Sequence, residues 1–462
     1  MSGVKREAKI GASRVNNSVK PAQPNINLHG MSLTNFRRFS TLNIDFHPNM
    51  TVLVAPNGSG KSTILDAIAV AVSPFVAAFD FGKGRGIAKS DARYRRQEQV
   101  LSSEQMFPVE ITASFNEPVC GIKRTLTGIN NKTTIKDASE LSTYGDQLMQ
   151  QVRDLDEVIL PVVAYYGTGR LWQEHKNMER KSVLSVSRTM GYEDCLTTAS
   201  NYKQLQQWFT KATYAELQQQ QMADVYQGYS LKEQLQSIQV AVETVLQPSS
   251  GWRYFHYSLS HEELAMTHPE QGVLPVSLLS DGVRAMVSLV ADLAWRCSKL
   301  NPQSGACASK ETPGLVLIDE VDMFLHPAWQ QKVLASLRDA FPKIQFIVTT
   351  HSPQVVSTAP TDSIRVIYED QVYNAPQGTQ GAESSRILKR VFGVDPRPQS
   401  DPMATLLAEY LDLVYADNWD APEALSMRQA LDAHFGNEEP ALTEADLYIE
   451  NKLWEQSLEE DQ

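Results

Sequence analysis

Nine consecutive residues, Ala55-Pro56-Asn57-Gly58-Ser59-Gly60-Lys61-Ser62-Thr63, constrain this chain more than any other feature in it. They follow a short apolar run, Thr51–Val54, and lead into an alanine-rich apolar stretch, Ser62–Val72. Strand, glycine turn and helix in that order bring loop amides and a helix N-terminus together around an anion. Lys61 is then placed to reach the β- and γ-phosphates of ATP, and the Ser62 hydroxyl to ligate Mg²⁺. Asn57, Gly58, Ser59, Gly60 and Thr63 complete the expected ATP-binding loop. The departure from the Walker A pattern is Ala55, which stands where the pattern has glycine. If that position needs positive φ, alanine costs roughly 1–2 kcal/mol.

A second segment supplies carboxylates. Leu315-Val316-Leu317-Ile318-Asp319-Glu320 reads as a buried strand that presents two acids at its carboxyl end, where open α/β sheets bind ligands. Asp319 is expected to hold Mg²⁺, and Glu320 to orient the water that attacks the γ-phosphate. Val348-Thr349-Thr350-His351 is another strand end, and His351 there can hydrogen-bond the γ-phosphate. Leu279-Ser280-Asp281-Gly282 opens a helix expected over Ser280–Leu300. Ser280, Asp281 and Gly282 are expected to bind the nucleotide held by a second copy of the chain, with Asp322 joining them in trans. His326 reads as structural or as a dimer contact. Gln97 or Gln99, in the loop after the first helix, could reach the metal, and the alternative that neither serves stays open. Arg37 or Arg38 could contact the nucleotide from the first hairpin.

The chain has 462 residues and a formal charge of −12. Asp401–Gln462 holds 16 acidic residues against two basic ones, Arg428 and Lys452, a net of −14. The acidity is therefore local, and nucleic-acid contact by the rest remains compatible with it. No run of about 18 uncharged apolar residues occurs, so no membrane span is expected. Cys120, Cys195, Cys297 and Cys307 stand far apart with no CxxC pair, and the N-terminus lacks an apolar leader. A cytoplasmic protein with reduced thiols is expected.

Paired strands are expected at Met31–Phe36 and Leu42–Phe46, and antiparallel strands at Pro108–Phe115 and Lys123–Leu126. Gly82–Gln99 reads as a mobile loop, and Pro327–Ala340 as one helix. The expected division is a disordered arm (1–28), an ATPase lobe with the phosphate loop (29–170) and a helical insertion (171–250). A second lobe carries the signature, Asp319 and His351 (251–380). An acidic helical C-terminal region (381–462) is a candidate for partner or oligomer contacts. The fold class expected is α/β: an ABC-type P-loop NTPase head with an antiparallel β side layer, a helical insertion and a helical C-terminal region.

In this order, the phosphate loop, signature, Asp319-Glu320, Asp322 and His351 resemble ABC ATPases of the SMC/RecF type. The spacing leaves no room for a long coiled-coil arm, and no TOPRIM-like carboxylate set follows His351. Leu160-Pro161-Val162-Val163-Ala164-Tyr165-Tyr166-Gly167-Thr168-Gly169-Arg170-Leu171-Trp172, then Arg188–Leu196 and Trp208-Phe209, look like the PtuA family. These are the ATPases of the Septu anti-phage system, with relatives in retron systems. The resemblance covers about residues 30–400. It implies an ATP-sandwiched homodimer within a higher oligomer, slow regulatory hydrolysis, a partner HNH nuclease (PtuB-like) and DNA reached through the complex. Arg170 is left open between nucleotide and DNA. A RecF-type repair ATPase acting without a dedicated nuclease is the alternative; a transporter subunit fits the signature and insertion less well.

Overall fold

The computed structural model describes residues 24–96, 103–171, 187–198, 202–221 and 231–460. Most of the 1–28 arm lies outside the described residues, as do Gln97, Gln99, Trp172 and the side chain of Arg170. The chain forms two compact units, Met1–Asn374 and Ala375–Gln462.

A six-stranded sheet organises the larger unit. Its order is Gln371–Asn374, Ile364–Tyr368, Met50–Val54, Ile344–Thr350, Gly314–Ile318, Val162–Tyr166. All pairings are parallel except the edge hairpin made by Gln371–Asn374. Met50–Val54, Gly314–Ile318 and Ile344–Thr350 are buried at every residue. Covered on both faces, they read in sequence as mainly apolar runs, with Thr51, Gln345, Thr349 and Thr350 as buried polar exceptions. Register sets Thr350 beside Val54, and Ile318 beside Tyr166. Ala55, Gly167, Asp319 and His351 therefore leave the sheet along one edge, where α/β sheets build ligand sites.

A four-stranded antiparallel layer has the order Phe39–Asp45, Leu28–Phe36, Val109–Phe115, Gly121–Leu126. The first pair meets in the register that apolar alternation implies, Met31 with Ile44 and Leu33 with Leu42. Gln345, buried in the central sheet, accepts from the Leu28 amide and donates to the Leu28 carbonyl, both at 2.8 Å. One side-chain amide so ties the two sheets together.

The phosphate-loop helix, Lys61–Ala77, is buried along most of its length. Beside it runs Ser139–Arg153, a helix with buried Leu141, Leu148 and Met149 that was not expected. Gly145 makes the close approach possible: a Cβ there would lie 2.6 Å from Ala78 Cβ. Tyr202–Gln221 and Leu231–Ser250 are the two helices described within the expected insertion. A further three-stranded sheet has the order Gly272–Pro275, Glu263–His268, Arg253–Ser258. The helix expected over Pro327–Ala340 is two, Pro327–Gln330 and Val333–Ala340, with Gln331 and Lys332 between them. The described part of Gly82–Gln99 holds a 3-10 turn, Lys89–Asp91, and a short strand, Tyr94–Arg96, paired with Ser103–Gln105, and it is anchored where Arg85 pairs with Asp66 at 2.7 Å and Ser73 donates to the Arg85 carbonyl at 2.6 Å.

The smaller unit packs Pro402–Tyr415, Pro422–Phe435 and Pro440–Glu460 around Leu407, Tyr410, Val414, Leu431 and Leu442. Proline at each helix start is pre-set in φ and lacks only an amide the helix would leave unpaired.

A buried triad fixes the strand end beside Asp319. The Tyr166 hydroxyl donates to Asp292 at 2.7 Å, and Arg296 Nε donates to the same carboxylate at 2.8 Å. Arg296 also donates to the carbonyls of Gly191 and Glu193. Asp292 and Arg296 belong to the helix Asp281–Leu300 and are almost fully buried. Removing one partner strands a buried charge. Arg296→Met is expected to destabilise the chain by about 3–5 kcal/mol in chemical denaturation; a change below about 1 kcal/mol would show the triad to be unimportant for stability.

Candidate nucleotide-binding site

The phosphate loop owes its shape to Gly58 at φ 76° and Gly60 at φ 94°, both left-handed. Ala55 is not among the residues with positive φ, so alanine carries no backbone penalty there. Gly60 is also sterically required, because a Cβ would sit 2.5 Å from Phe39 Cζ. Lys61 Nζ folds back to the carbonyls of Ala55 (2.9 Å) and Pro56 (3.4 Å). Burial lowers the Lys61 pKa, while Asp319, Glu320 and Asp322 oppose the shift. Its ammonium thus sits over its own loop, among carboxylates, ready to exchange two carbonyl contacts for phosphate oxygens.

Asp319 is the best-anchored acid of the site. Its Oδ2 accepts from Ser62 Oγ at 2.7 Å and its Oδ1 from Thr349 Oγ1 at 2.6 Å. Its amide donates to the Tyr166 carbonyl at 2.8 Å. The Thr349 hydroxyl accepts in turn from the Glu320 amide at 2.8 Å. Ser62 and Asp319 thus bring a hydroxyl and a carboxylate together from two elements, the hard-oxygen set that Mg²⁺ takes together with phosphates and water. Among the described residues no group of three His, Cys, Asp or Glu side chains could hold a metal ion. Thr349 escaped the sequence reading. Its role follows from register, Ile318 lying beside Val348, and no local pattern signals it.

Glu320 begins the turn after the strand, with left-handed backbone at φ 50°. Asp322 accepts from the Thr350 hydroxyl at 2.5 Å, so this acid is engaged within its own chain. His351 follows Thr350 and is half-buried. Burial lowers its pKa below 6.5, and Lys61 lowers it further against Glu320, Asp322 and Asp319. It therefore presents a neutral imidazole at neutral pH. His326 has a local role, its Nδ1 accepting from the Ala328 amide at 3.3 Å as a helix cap.

Ser280 does stand at the N-cap of Asp281–Leu300, yet its side chain makes no cap hydrogen bond, and it is exposed. Asp281 pairs with Arg284 at 3.2 Å. Gly282 packs so closely that a Cβ would lie 2.5 Å from the Phe324 carbonyl oxygen. The helix start and the turn after Glu320 are therefore nested in one chain. Of the two hairpin arginines, Arg37 is committed to Asp66 (2.7 Å) and Asp91 (2.8 Å). Arg38 instead reaches the phosphate loop, donating to the Gly58 carbonyl.

A cavity of 650 Å³ opens beside Ser62 and Asp319. Its wall includes Gly167-Thr168-Gly169 and the turn Asp194–Thr198. Gly167 admits that turn, since a Cβ would meet Thr198 Cβ at 2.5 Å. The element that flanks Asp319 opposite Thr349 is thus the Tyr166–Gly169 strand end. Lys83, Gly84 and Arg85, in the loop after the first helix, line the same cavity; Gln97 and Gln99 of that loop lie outside the described residues.

An AAA-domain family model matches residues 31–247, and a second AAA-domain model matches residues 204–357. The Retron Ec83 probable ATPase of Escherichia coli is 28% identical over 93% of this chain and 88% of its own length. The Retron Vc95 probable ATPase of Vibrio cholerae is 25% identical over 92% and 89%. Septu protein PtuA of Bacillus thuringiensis is 31% identical over 27% of this chain and 33% of its own. A solved SMC head bound to the C-winged helix domain of ScpA aligns over 76% of this chain and 98% of that chain, with 15% identity and a TM-score of 0.45. That likeness is loose; the strand order and the site geometry stand on their own.

Two outcomes follow from this geometry. Thr349→Val removes a hydrogen bond to Asp319 and an acceptor for Glu320. It is expected to raise the Mg²⁺ concentration for half-maximal ATP hydrolysis by about 10–100-fold; an unchanged Mg²⁺ titration would show that Thr349 does not orient Asp319. His351 has a depressed folded-state pKa, so its stability contribution is present above pH 6.5 and is lost as pH falls below that value. Between pH 7.5 and 5.5 the native chain should lose more stability than His351→Gln in urea denaturation, and equal losses would contradict the assignment.

Proposed function

Since this chain is a P-loop ATPase with retron ATPases and Septu PtuA among its homologues, we propose that it is the ATP-hydrolysing subunit of an anti-phage complex, controlling a partner HNH nuclease. The observation that carries the proposal is the near end-to-end relationship to two retron ATPases, in a chain whose Ser62, Asp319, Glu320 and Thr349 form one hydrogen-bonded site beside the phosphate loop. In this reading Lys61 and the loop amides of Asn57–Ser62 bind the phosphates, with Thr63 supporting the loop. Ser62 and Asp319 hold Mg²⁺, which when bound neutralises phosphate charge. Glu320 orients the attacking water, and His351 hydrogen-bonds the γ-phosphate without adding charge.

A second copy completes each site. The unused Ser280 hydroxyl supports that role for Ser280, Asp281 and Gly282. Exposed Leu278 and Phe324 beside them supply apolar surface for the pairing. Asp322, held by Thr350, then couples its own strand end to the neighbouring nucleotide. ATP favours the closed pair and hydrolysis releases it, which gives a two-state signal to a bound nuclease. The exposed Trp454, Leu453 and Leu447 of the acidic C-terminal unit suit partner or oligomer contacts. DNA is reached through the complex. No helix among the described residues is long and apolar enough to cross a membrane, and the reading places the complex in the cytoplasm.

Glu320→Gln is the direct test, with phosphate release and phage plating as readouts. Hydrolysis should fall by about 10²-fold or more and protection should be lost; retention of both would refute the mechanism. Affinity purification of the full chain should bring down a small HNH protein in stoichiometric amount. Recovery of DNA and self-oligomer alone would support a RecF-type repair ATPase instead.

A further inference from the structure

The hydrolytic groups all hang from strands on one side of the phosphate-loop strand. Ile344–Thr350 and Gly314–Ile318, which carry His351, Asp319 and Glu320, lie to that side of Met50–Val54; Ile364–Tyr368 lies to the other. A triphosphate with its γ end at Asp319 and Glu320 that ran back across the loop would carry its base toward the Ile364–Tyr368 side. The side chain waiting there is Arg38. Its Nε and Nη2 meet Asp370 Oδ1 at 3.0 and 2.9 Å, and its Nη1 donates to the Gly58 carbonyl. Its Cζ lies 5.7 Å from the centroid of the Phe39 ring. Asp370 is held in a left-handed turn with Glu369 (φ 61° and 47°), a conformation that favours Asn or Gly. The turn keeps an aspartate there, and its carboxylate fixes the guanidinium plane.

We propose that Arg38, clamped by Asp370 and backed by Phe39, is the platform on which the base of the bound nucleotide stacks. Each of the three guanidinium nitrogens already has an acceptor, so the in-plane fork that would grip a phosphate is engaged. What remains is a planar, partly exposed cationic face, and a flat aromatic base is the ligand that uses it. Asp370 is a positioning residue for that face, and Gly60 leaves the room it needs, since a Cβ would lie 2.9 Å from Arg38 Cδ.

The inference rests on the ATP-site reading, and binding of two probes separates the two. Non-hydrolysable ATP analogue and inorganic tripolyphosphate are titrated calorimetrically, with Mg²⁺, into the full chain and into Arg38→Ala, Arg38→Lys and Asp370→Asn. Arg38→Ala should weaken the ATP analogue roughly tenfold while leaving tripolyphosphate unchanged. Arg38→Lys should not restore binding, because lysine keeps the charge but not the plane, and Asp370→Asn should fall between. Unchanged tripolyphosphate affinity also shows that the variant loop is folded. Equal weakening of both probes, or rescue by lysine, would make Arg38 a phosphate or loop contact and overturn the stacking role. Failure of the native chain to bind either probe would instead overturn the phosphate-loop reading itself.

Discussion

The Asp319 carboxylate holds the site together. One oxygen takes a hydrogen bond from Ser62 on the phosphate-loop helix and the other from Thr349 on the adjacent strand. Three elements distant in sequence are joined at one buried acid. Such an arrangement requires the parallel register of the central sheet, because a one-residue slip would turn Thr349 to the opposite face. It also requires the strand end at Tyr166, whose carbonyl receives the Asp319 amide and whose hydroxyl is anchored by Asp292 and Arg296. Much of the fold around the sheet can be understood as what keeps this carboxylate in place.

The same geometry explains why the site is poised rather than complete. Lys61 is parked on Ala55 and Pro56, Ser62 is bonded to Asp319, and Arg38 covers the far flank of the loop. Each contact is one that a magnesium nucleotide could replace or share without moving a strand. The groups proposed to act in trans behave differently. Ser280 is exposed at its helix start, and Gly282 nests against Phe324, so the helix and the turn after Glu320 form one packed unit. Because Asp322 of that turn is tied to Thr350, one residue before His351, the surface proposed to meet a second copy is tied to the strand end that carries His351.

The phosphate loop, Asp319, Glu320 and His351 stand out in the sequence because each is written locally, as an apolar strand running directly into it. Thr349 does not, since its meaning lies in a neighbour brought by strand pairing. The flank at Gly167–Gly169 was quoted as a family block, but its place beside Asp319 depends on Val162–Tyr166 pairing with Gly314–Ile318, a contact across some 150 residues. Ser139–Arg153 was passed over because its apolar positions are sparse and its closest contact is made by a glycine. Pro327–Ala340 was read as continuous because nothing in the local composition marks the break at Gln331 and Lys332.

The most direct test is an experimental structure of the full chain with Mg²⁺ and a non-hydrolysable ATP analogue. The account requires the triphosphate between Lys61 and Asp319, with Ser62 and Asp319 opened from their hydrogen bond to hold the metal. It also requires Ser280 of a second copy at the γ-phosphate. A nucleotide bound elsewhere, or a loaded site with the Ser62–Asp319 hydrogen bond intact and no metal between them, would contradict it.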